Sequence, residues 1–451
     1  MNIQPTHLDG IDRQSKDVAA QLAGHYQALS GSLPGAGNAS VRKLRDDAIA
    51  AFAARGLPHR RIEEWKYTDL RAAMPQAFAP AGENIRGRLD LDAVLGPLAA
   101  VSGLTLVFVN GRLDRALSAI GGVPRGVELV SLADAISAPP EWLSATLGQA
   151  KSGEDDIVTL LNTAFATDGI AVRLAKDVKL EEPLHLVHVM TANAPASSVL
   201  RNVVAIDAGA EATLIETYVS GDATPAQVNS ATDVVVGDGA KLRHYLIAAE
   251  NTNTQHLAST LPRLGSGADY LAVQFAAGGS LSRLQTFVTY QGEGTRAHFY
   301  GCQMLRGRQH CDMTLVIDHA AVGCESREHV KAVVDEHSQG VFQAKVIVRP
   351  GAQKTDGRQM AQSLLLSDTA EFDAKPELEI YADDVKCNHG ATSGAIDEDL
   401  LFYLRARGIP EDQARALLIQ AFIGEILDKV EHEPLREALE GLALGWLLPR
   451  A

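Results

Sequence analysis

The stretch Asp383-Asp384-Val385-Lys386-Cys387-Asn388-His389-Gly390-Ala391-Thr392 places a thiol, an imidazole, an amine and two carboxylates close together. Cys387 and His389 are two residues apart, and on an extended strand a period of two turns both side chains to one face. A thiolate and an imidazole so placed suit one soft metal ion or an iron–sulfur fragment. Lys386 beside them would favour the ionised thiol. Two ligands do not close a coordination shell, so the rest would come from a second chain or a bound intermediate. The same spacing also fits a structural cysteine beside a hydrogen-bonded histidine.

The remaining chemistry-bearing residues are more scattered. Cys302, Cys311 and Cys324, with His310, His319, His329 and His337, follow no metal-site spacing and read as packed or polar positions on successive strands. No CxxC pair occurs among the four cysteines, which fits neither a disulfide framework nor a zinc knuckle and predicts reduced thiols. The chain carries no GxxxxGK[ST], no GxGxxG opening a helix, no HExxH and no GxSxG. Any nucleotide chemistry must therefore belong to a partner, and no enzyme motif stands out. Arg60, Arg61, Glu63, Glu64 and Lys66 surround Trp65, a pattern expected of a solvated turn pinned by one aromatic anchor.

The chain that must position these residues has 451 of them, with 41 Lys+Arg against 56 Asp+Glu, a formal charge of −15 and 46% hydrophobic residues. That composition is globular, with enough apolar mass for more than one core. The acidic balance repels a phosphate backbone, so nucleic acid is not an expected partner. The first twenty-five residues are too polar for a secretory signal and no 18-residue apolar run follows, which predicts a cytoplasmic protein without a membrane span.

Residues 1–150 read as an N-terminal, mainly helical but mixed domain. Ser15 to Ser30 carries Val18, Leu22 and Tyr26 at four-residue spacing, and Ser40 to Ala54 forms a second helix ending at Gly56 and Pro58. Leu104 to Val109 reads as a strand before a turn at Asn110 and Gly111. From 151 to 394 the pattern is periodic. Paired glycines recur at Gly237/Gly239, Gly265/Gly267 and Gly292/Gly294, the second members 28 and 27 residues apart, with Gly209 placed 30 before Gly239. β-type runs flank each pair, a repeat expected of a β-helix; an antiparallel sandwich of hairpins is the other arrangement such runs allow.

Residues 395–451 return to helical periodicity. Asp397 is placed to cap a helix that ends near Arg405, Arg407 and Gly408, and Pro410 fits the first position of the next. That second helix, to about Val430, has Leu417, Leu418, Phe422 and Ile426 among more apolar positions than one stripe needs. Burial in a terminal domain and docking on a partner both account for it.

Read together, several segments resemble the SufB/SufD family. They are Gly56-Leu57-Pro58 with Glu64-Trp65-Lys66-Tyr67-Thr68, the strand Leu104 to Gly111, Ala352 to Asp356, Leu364 to Asp368, Pro376 to Ile380, Cys387 to Thr392, and Leu401 to Leu404 with Arg407-Gly408-Ile409. The Cys387–Thr392 segment resembles the SufD branch, since the SufB branch carries Glu-His-Glu-Ala-Thr there. The resemblance spans roughly residues 56–430. It implies a mainly β fold: a right-handed parallel β-helix core between an N-terminal α/β domain and a C-terminal helical domain. It also implies a non-catalytic scaffold subunit for iron–sulfur cluster assembly, paired with SufB and docked on the ATPase SufC. His389, with Cys387 beside it, would help hold a transient cluster shared with SufB, none being expected on the isolated chain. Pro410, Leu417, Leu418, Phe422 and Ile426 would contact SufC. Without partners, a homodimer is the alternative assembly. The competing class is a stand-alone β-helix carbohydrate-active enzyme, which should show a ladder of charged residues along one face; none lines up here.

Overall fold

In the computed structural model the described residues are 18–82, 89–149 and 156–447; the expected start of the first helix at Ser15 and the expected boundary at 150/151 lie outside them. The strands are β1 (Leu104–Val109), β2 (Arg112–Ala119), β3 (Val127–Ser131), β4 (Ile170–Leu174), β5 (Leu184–Met190), β6 (Ala196–Ile206), β7 (Glu211–Ser220), β8 (Ala226–Val236) and β9 (Lys241–Ala248). They continue with β10 (Thr254–Leu264), β11 (Asp269–Ala276), β12 (Leu281–Tyr290), β13 (Arg296–Leu305), β14 (His310–His319), β15 (Glu325–Val334), β16 (Gln339–Val348), β17 (Asp356–Leu365), β18 (Glu371–Ile380) and β19 (Lys386–Gly394).

From β5 onward the chain alternates between two sheets. Odd-numbered strands build a ten-stranded sheet from β19 to β5, β1 and β2, and even-numbered strands build a nine-stranded sheet from β18 to β4, ending at β3. Pairing along both stacks is parallel, as in Tyr270 with Leu242 on one side and Ala297 on the other. Among the described residues only β1–β2 and β3–β4 pair antiparallel. This is a parallel β-solenoid, and parallel registry excludes the hairpin sandwich. The antiparallel strands cover the first coil, and β1 joins the solenoid through β5.

Each glycine pair divides two tasks. Gly239, Gly267 and Gly294 take φ of 63°, 62° and 64°, the left-handed corner conformation that penalises a Cβ. Their partners allow coils to stack: a Cβ on Gly292 would lie 2.1 Å from the Ser266 backbone nitrogen, and one on Gly237 would lie 2.8 Å from that of Ala208. One residue type thus serves a bend and a close approach two positions apart, which is why the repeat is visible in the sequence.

Between the sheets, inward residues such as Val234, Leu242, Leu264, Tyr270, Tyr290 and Val346 form one continuous core. Both outer faces are covered too, so strands such as β5 are buried along their whole length. On the nine-stranded sheet lie a helix over 18–29, α1 (Ala39–Arg55) and α2 (Ile157–Phe165). Asn38 caps α1, and the buried Arg45 donates to the carbonyls of Ala164 and Ala166 at the end of α2, where a cation complements the helix dipole. Trp65 is pinned as its flanking charges predict. The Arg283 guanidinium stacks 3.8 Å from its ring centroid, donates to the Glu64 carbonyl and pairs with buried Asp312.

The C-terminal helices α3 (Glu398–Arg405), α4 (Glu411–Leu427) and α5 (Glu433–Leu447) cover the outer face of the ten-stranded sheet. Asp397 caps α3, accepting from the amides of Asp399 and Leu400. Pro410 occupies the cap position rather than the first helical turn, one residue earlier than the sequence predicts. Its extended backbone (φ −55°, ψ 147°) sets the direction in which α4 starts.

Candidate functional site

β19 is the last rung of the ten-stranded sheet and has a neighbour on one side only, β17. The other sheet ends at β18, whose edge carries Lys375, Pro376, Glu377 and Glu379, residues that discourage further pairing. β19 has no such protection after Lys386: Cys387, Asn388, His389, Gly390, Ala391, Thr392 and Ser393 are small or uncharged apart from the imidazole. The solenoid is therefore closed at its first coil and open at its last.

Cys387 and His389 do lie on one face of β19, as their spacing predicts. Cys387 continues the inward row Ala297, Ser326, Gly357, and is half-buried. It sits beside Gly357, where even an added Cβ would make only ordinary contacts, 3.7 Å to the Cys387 sulfur and 3.4 Å to the Ser326 hydroxyl. Burial pushes the Cys387 thiol up, and the charges of Asp356 and Glu328 add to the effect. The expected help from Lys386 is not seen. One residue away, it projects to the other face of the strand, so the resting thiol is protonated and becomes a ligand only when a metal displaces its proton. His389 is exposed and continues the adjacent inward row Glu328, Gln359.

Among the described residues no group of three or more His, Cys, Asp and Glu is arranged to hold a metal ion. The pair can contribute soft ligands to a site completed from outside, but does not form one alone. Of the other cysteines and histidines singled out in the sequence, His337 is exposed and the rest fill structural positions. Cys302, Cys311 and Cys324 are buried, with thiols pushed up by desolvation. His319 stacks on Tyr290 and bonds Ser326, His310 contacts Thr68 and Gln339, and His329 contacts Gln362.

The five residues expected on a docking surface divide by face. Ile426 is fully buried against the solenoid beside Ile419 and Ile423. Phe422 and Leu418 are half-buried on the same packed side, while Pro410 and Leu417 are exposed. Helix α3 adds Leu400, Phe402 and Tyr403, exposed at 52%, 72% and 53%. The sequence holds a partial signal for these: they flank the buried Leu401 and precede the half-buried Leu404, at positions where a single-stripe helix would carry polar residues. Sequence reasoning also missed Glu328 and Gln359, fully buried polar residues behind His389, and Lys331, which ties α4 to β15.

Comparison with known proteins agrees with this architecture. Residues 188–422 match the family model described as SUF system FeS cluster assembly, SufBD core domain, and residues 16–186 match the SufBD protein N-terminal region. The chain is 31% identical over 441 residues to an iron–sulfur cluster assembly SufBD family protein of Synechocystis, covering 95% of this chain and 94% of the relative. It is 32% identical over 387 residues to the iron–sulfur cluster assembly protein SufD of Escherichia coli, covering 85% and 87%. With SufD of Bacillus subtilis the identity is 28% over 289 residues, covering 62% and 65%. The solenoid with its open, thiol- and imidazole-bearing end, the helices on both outer faces and these matches have one reading: the chain belongs to the SufBD family of iron–sulfur cluster assembly proteins, as a SufD-type member.

Proposed function

We propose that this chain is a non-catalytic scaffold subunit that pairs with a SufB-type subunit through the open end of its solenoid and docks a SufC-type ATPase on its C-terminal helices. The observation that carries this reading is the position of Cys387 and His389 on an unprotected edge strand at that end. A sheet edge with free amides and carbonyls is a template for another strand, and a half-complete ligand set at the same edge gains its missing ligands when a second chain arrives. A nascent cluster is then cargo shared across the interface rather than a resident cofactor, and ATP hydrolysis belongs to the partner.

The exposed apolar side chains of α3 and α4 support the second contact. Leu400, Phe402, Tyr403 and Leu417 lie on the hairpin whose other face is anchored to the solenoid, so a load on the hairpin acts on the sheet that ends in β19. Among the described residues no helix is long and apolar enough to cross a membrane, and the proposed compartment is the cytoplasm. In isolation, the same open edge gives a homodimer.

The test is co-purification of the chain with SufB and SufC, wild type against His389→Ala, then anaerobic reconstitution with iron and sulfide counting. Complexes that form with both chains but hold markedly less cluster with His389→Ala support the reading. A wild-type chain that captures neither partner overturns it.

A further inference from the structure

Glu328, Gln359 and His389 are consecutive members of one row across β15, β17 and β19, paired directly in register. Strand separation in a sheet is about 4.8 Å, so His389 stands about 10 Å from Glu328 with the Gln359 side chain between them. Glu328 and Gln359 are each 2% exposed. Neither Glu328 carboxyl oxygen has a partner at ordinary hydrogen-bond distance, and neither polar atom of the Gln359 amide does. The Ser326 hydroxyl is close enough to act on the Glu328 carboxyl, but its bond of ordinary length, 3.1 Å, is to the His319 ring. Buried amides and carboxyls are almost always partnered, and leaving four such atoms unpaired is costly.

The side of Glu328 away from His389 opens on a cavity inside the solenoid, lined also by Gln274, Thr286, Phe299, Gly301 and Met313. Counted as the space open to the centre of a water molecule it measures about 30 Å³. That is room for about two waters. Gly301 keeps it open, since a Cβ there would meet the Met313 sulfur at 2.7 Å and Val330 at 2.8 Å. The charged and titratable groups that sense Glu328 are Arg327 on its own strand, Tyr290 across the core and Cys387 on β19, while the facing sheet presents Met313, Leu315 and Phe342.

We propose that Glu328 and Gln359 are buried positioning residues for His389. The Gln359 amide donates to the Glu328 carboxyl, its carbonyl accepts from the His389 ring N–H, and bound water in the cavity completes the shell of Glu328. Small side-chain rotations close these bonds within the register already present. The column holds one ring nitrogen of His389 as a donor into the protein and leaves the other bare toward the open end, the state a metal-binding imidazole requires. That last consequence rests on the proposed function; the column itself does not. Burial also pushes the Glu328 carboxyl up to about 8, which keeps it protonated at neutral pH and able to donate to water.

Infrared difference spectroscopy of the full isolated chain near pH 6.5 tests this without partners or iron. A protonated-carboxyl carbonyl band lost in Glu328→Gln is expected, shifted in Gln359→Leu and shifted again in His389→Ala. The second shift is diagnostic, because His389 is an exposed side chain whose removal leaves the core intact. Met360→Ala, on the outward face beside Gln359, should leave the band in place. The absence of a band assignable to Glu328, or a band that His389→Ala leaves unmoved, overturns the column. Either result leaves the pairing with SufB and SufC to stand or fall by its own experiment.

Discussion

Lys331 on β15 and Glu425 on α4 form an ion pair of 2.7 Å across the seam between solenoid and helical hairpin, with the lysine nitrogen 4.4 Å from the Phe422 ring centroid. The two partners sit in different surroundings: the Lys331 side chain is 2% exposed, that of Glu425 64%. The lysine stem therefore packs as core while its charge reaches water only beside the glutamate. Lys331→Ala is expected to lower stability by about 2 kcal/mol through lost packing, and Lys331→Met by less than about 1 kcal/mol because an exposed partner makes the charge term small. Urea unfolding distinguishes the two. Equal losses would place the energy in the ion pair. The Lys331 hydrogen bond holds the Glu425 carboxyl below its ordinary range, so this contribution is present above that range and is lost on acidification.

The glycine pairs predict unequal tolerance at positions two residues apart. Gly267→Asn keeps a left-handed corner with open space around its Cβ and should cost no more than about 1 kcal/mol. Gly292→Ala drives a Cβ onto the backbone of the neighbouring coil, which side-chain motion cannot relieve, and should cost more than about 3 kcal/mol. Thermal melting of both variants checks the order. If Gly267→Asn proves the more damaging, the division of labour within each pair is wrong.

These glycines also show what the sequence made legible. A turn that needs a positive φ and a coil that needs a missing Cβ leave local marks, so the repeat, the strand Leu104–Val109 with its Asn110-Gly111 turn, and the Asp397 cap could all be read from the chain. The face on which Cys387 and His389 lie followed from strand period alone. The column behind His389 did not, because it joins residues about thirty positions apart and only register shows that they stack. A mark was present: Phe299, Glu328, Gln359 and His389 succeed one another at 29, 31 and 30 residues, close to the 27 to 30 of the glycines. The position of Ile426 was illegible for another reason. A helix that is apolar nearly all round does not reveal which side meets its own solenoid until the docking angle is known.

The buried ionisable groups predict opposing pH dependences. Burial pushes Glu328 up to about 8 from an ordinary 4.5, so between those values the unfolded chain binds fewer protons and stability falls as pH rises. Burial lowers His185, His188 and His319 to about 4, 3 and 4 from 6.5, so below 6.5 the unfolded chain binds more protons and stability falls on acidification. The two trends oppose between 4.5 and 6.5; above 6.5, of these four groups, only Glu328 still acts. Stability should thus decline from pH 6.5 to 8 by up to about 1.4 kcal/mol per unit, and Glu328→Gln should flatten the decline. Parallel curves for the two chains in urea titrations would show that Glu328 is ionised in the native state.

The exposed hairpin face predicts a separation of binding from folding. Phe402 and Leu417 add little to the chain's own core, so Phe402→Asp and Leu417→Asp should each change stability by no more than about 0.5 kcal/mol. A charge placed within a desolvated apolar contact costs far more, so each variant should weaken capture of SufC at least tenfold, measured by titration against the purified ATPase. Ile426→Asp behaves oppositely: it buries a carboxylate among Ile419, Ile423 and the solenoid face, and should unfold the hairpin before any partner is added. SufC binding unchanged by both surface variants would remove this face from the interface and move the docking surface elsewhere on the helical domain. Loss of binding with folding intact would assign the apolar excess of α3 and α4 to two uses, one side for the solenoid and the other for the ATPase.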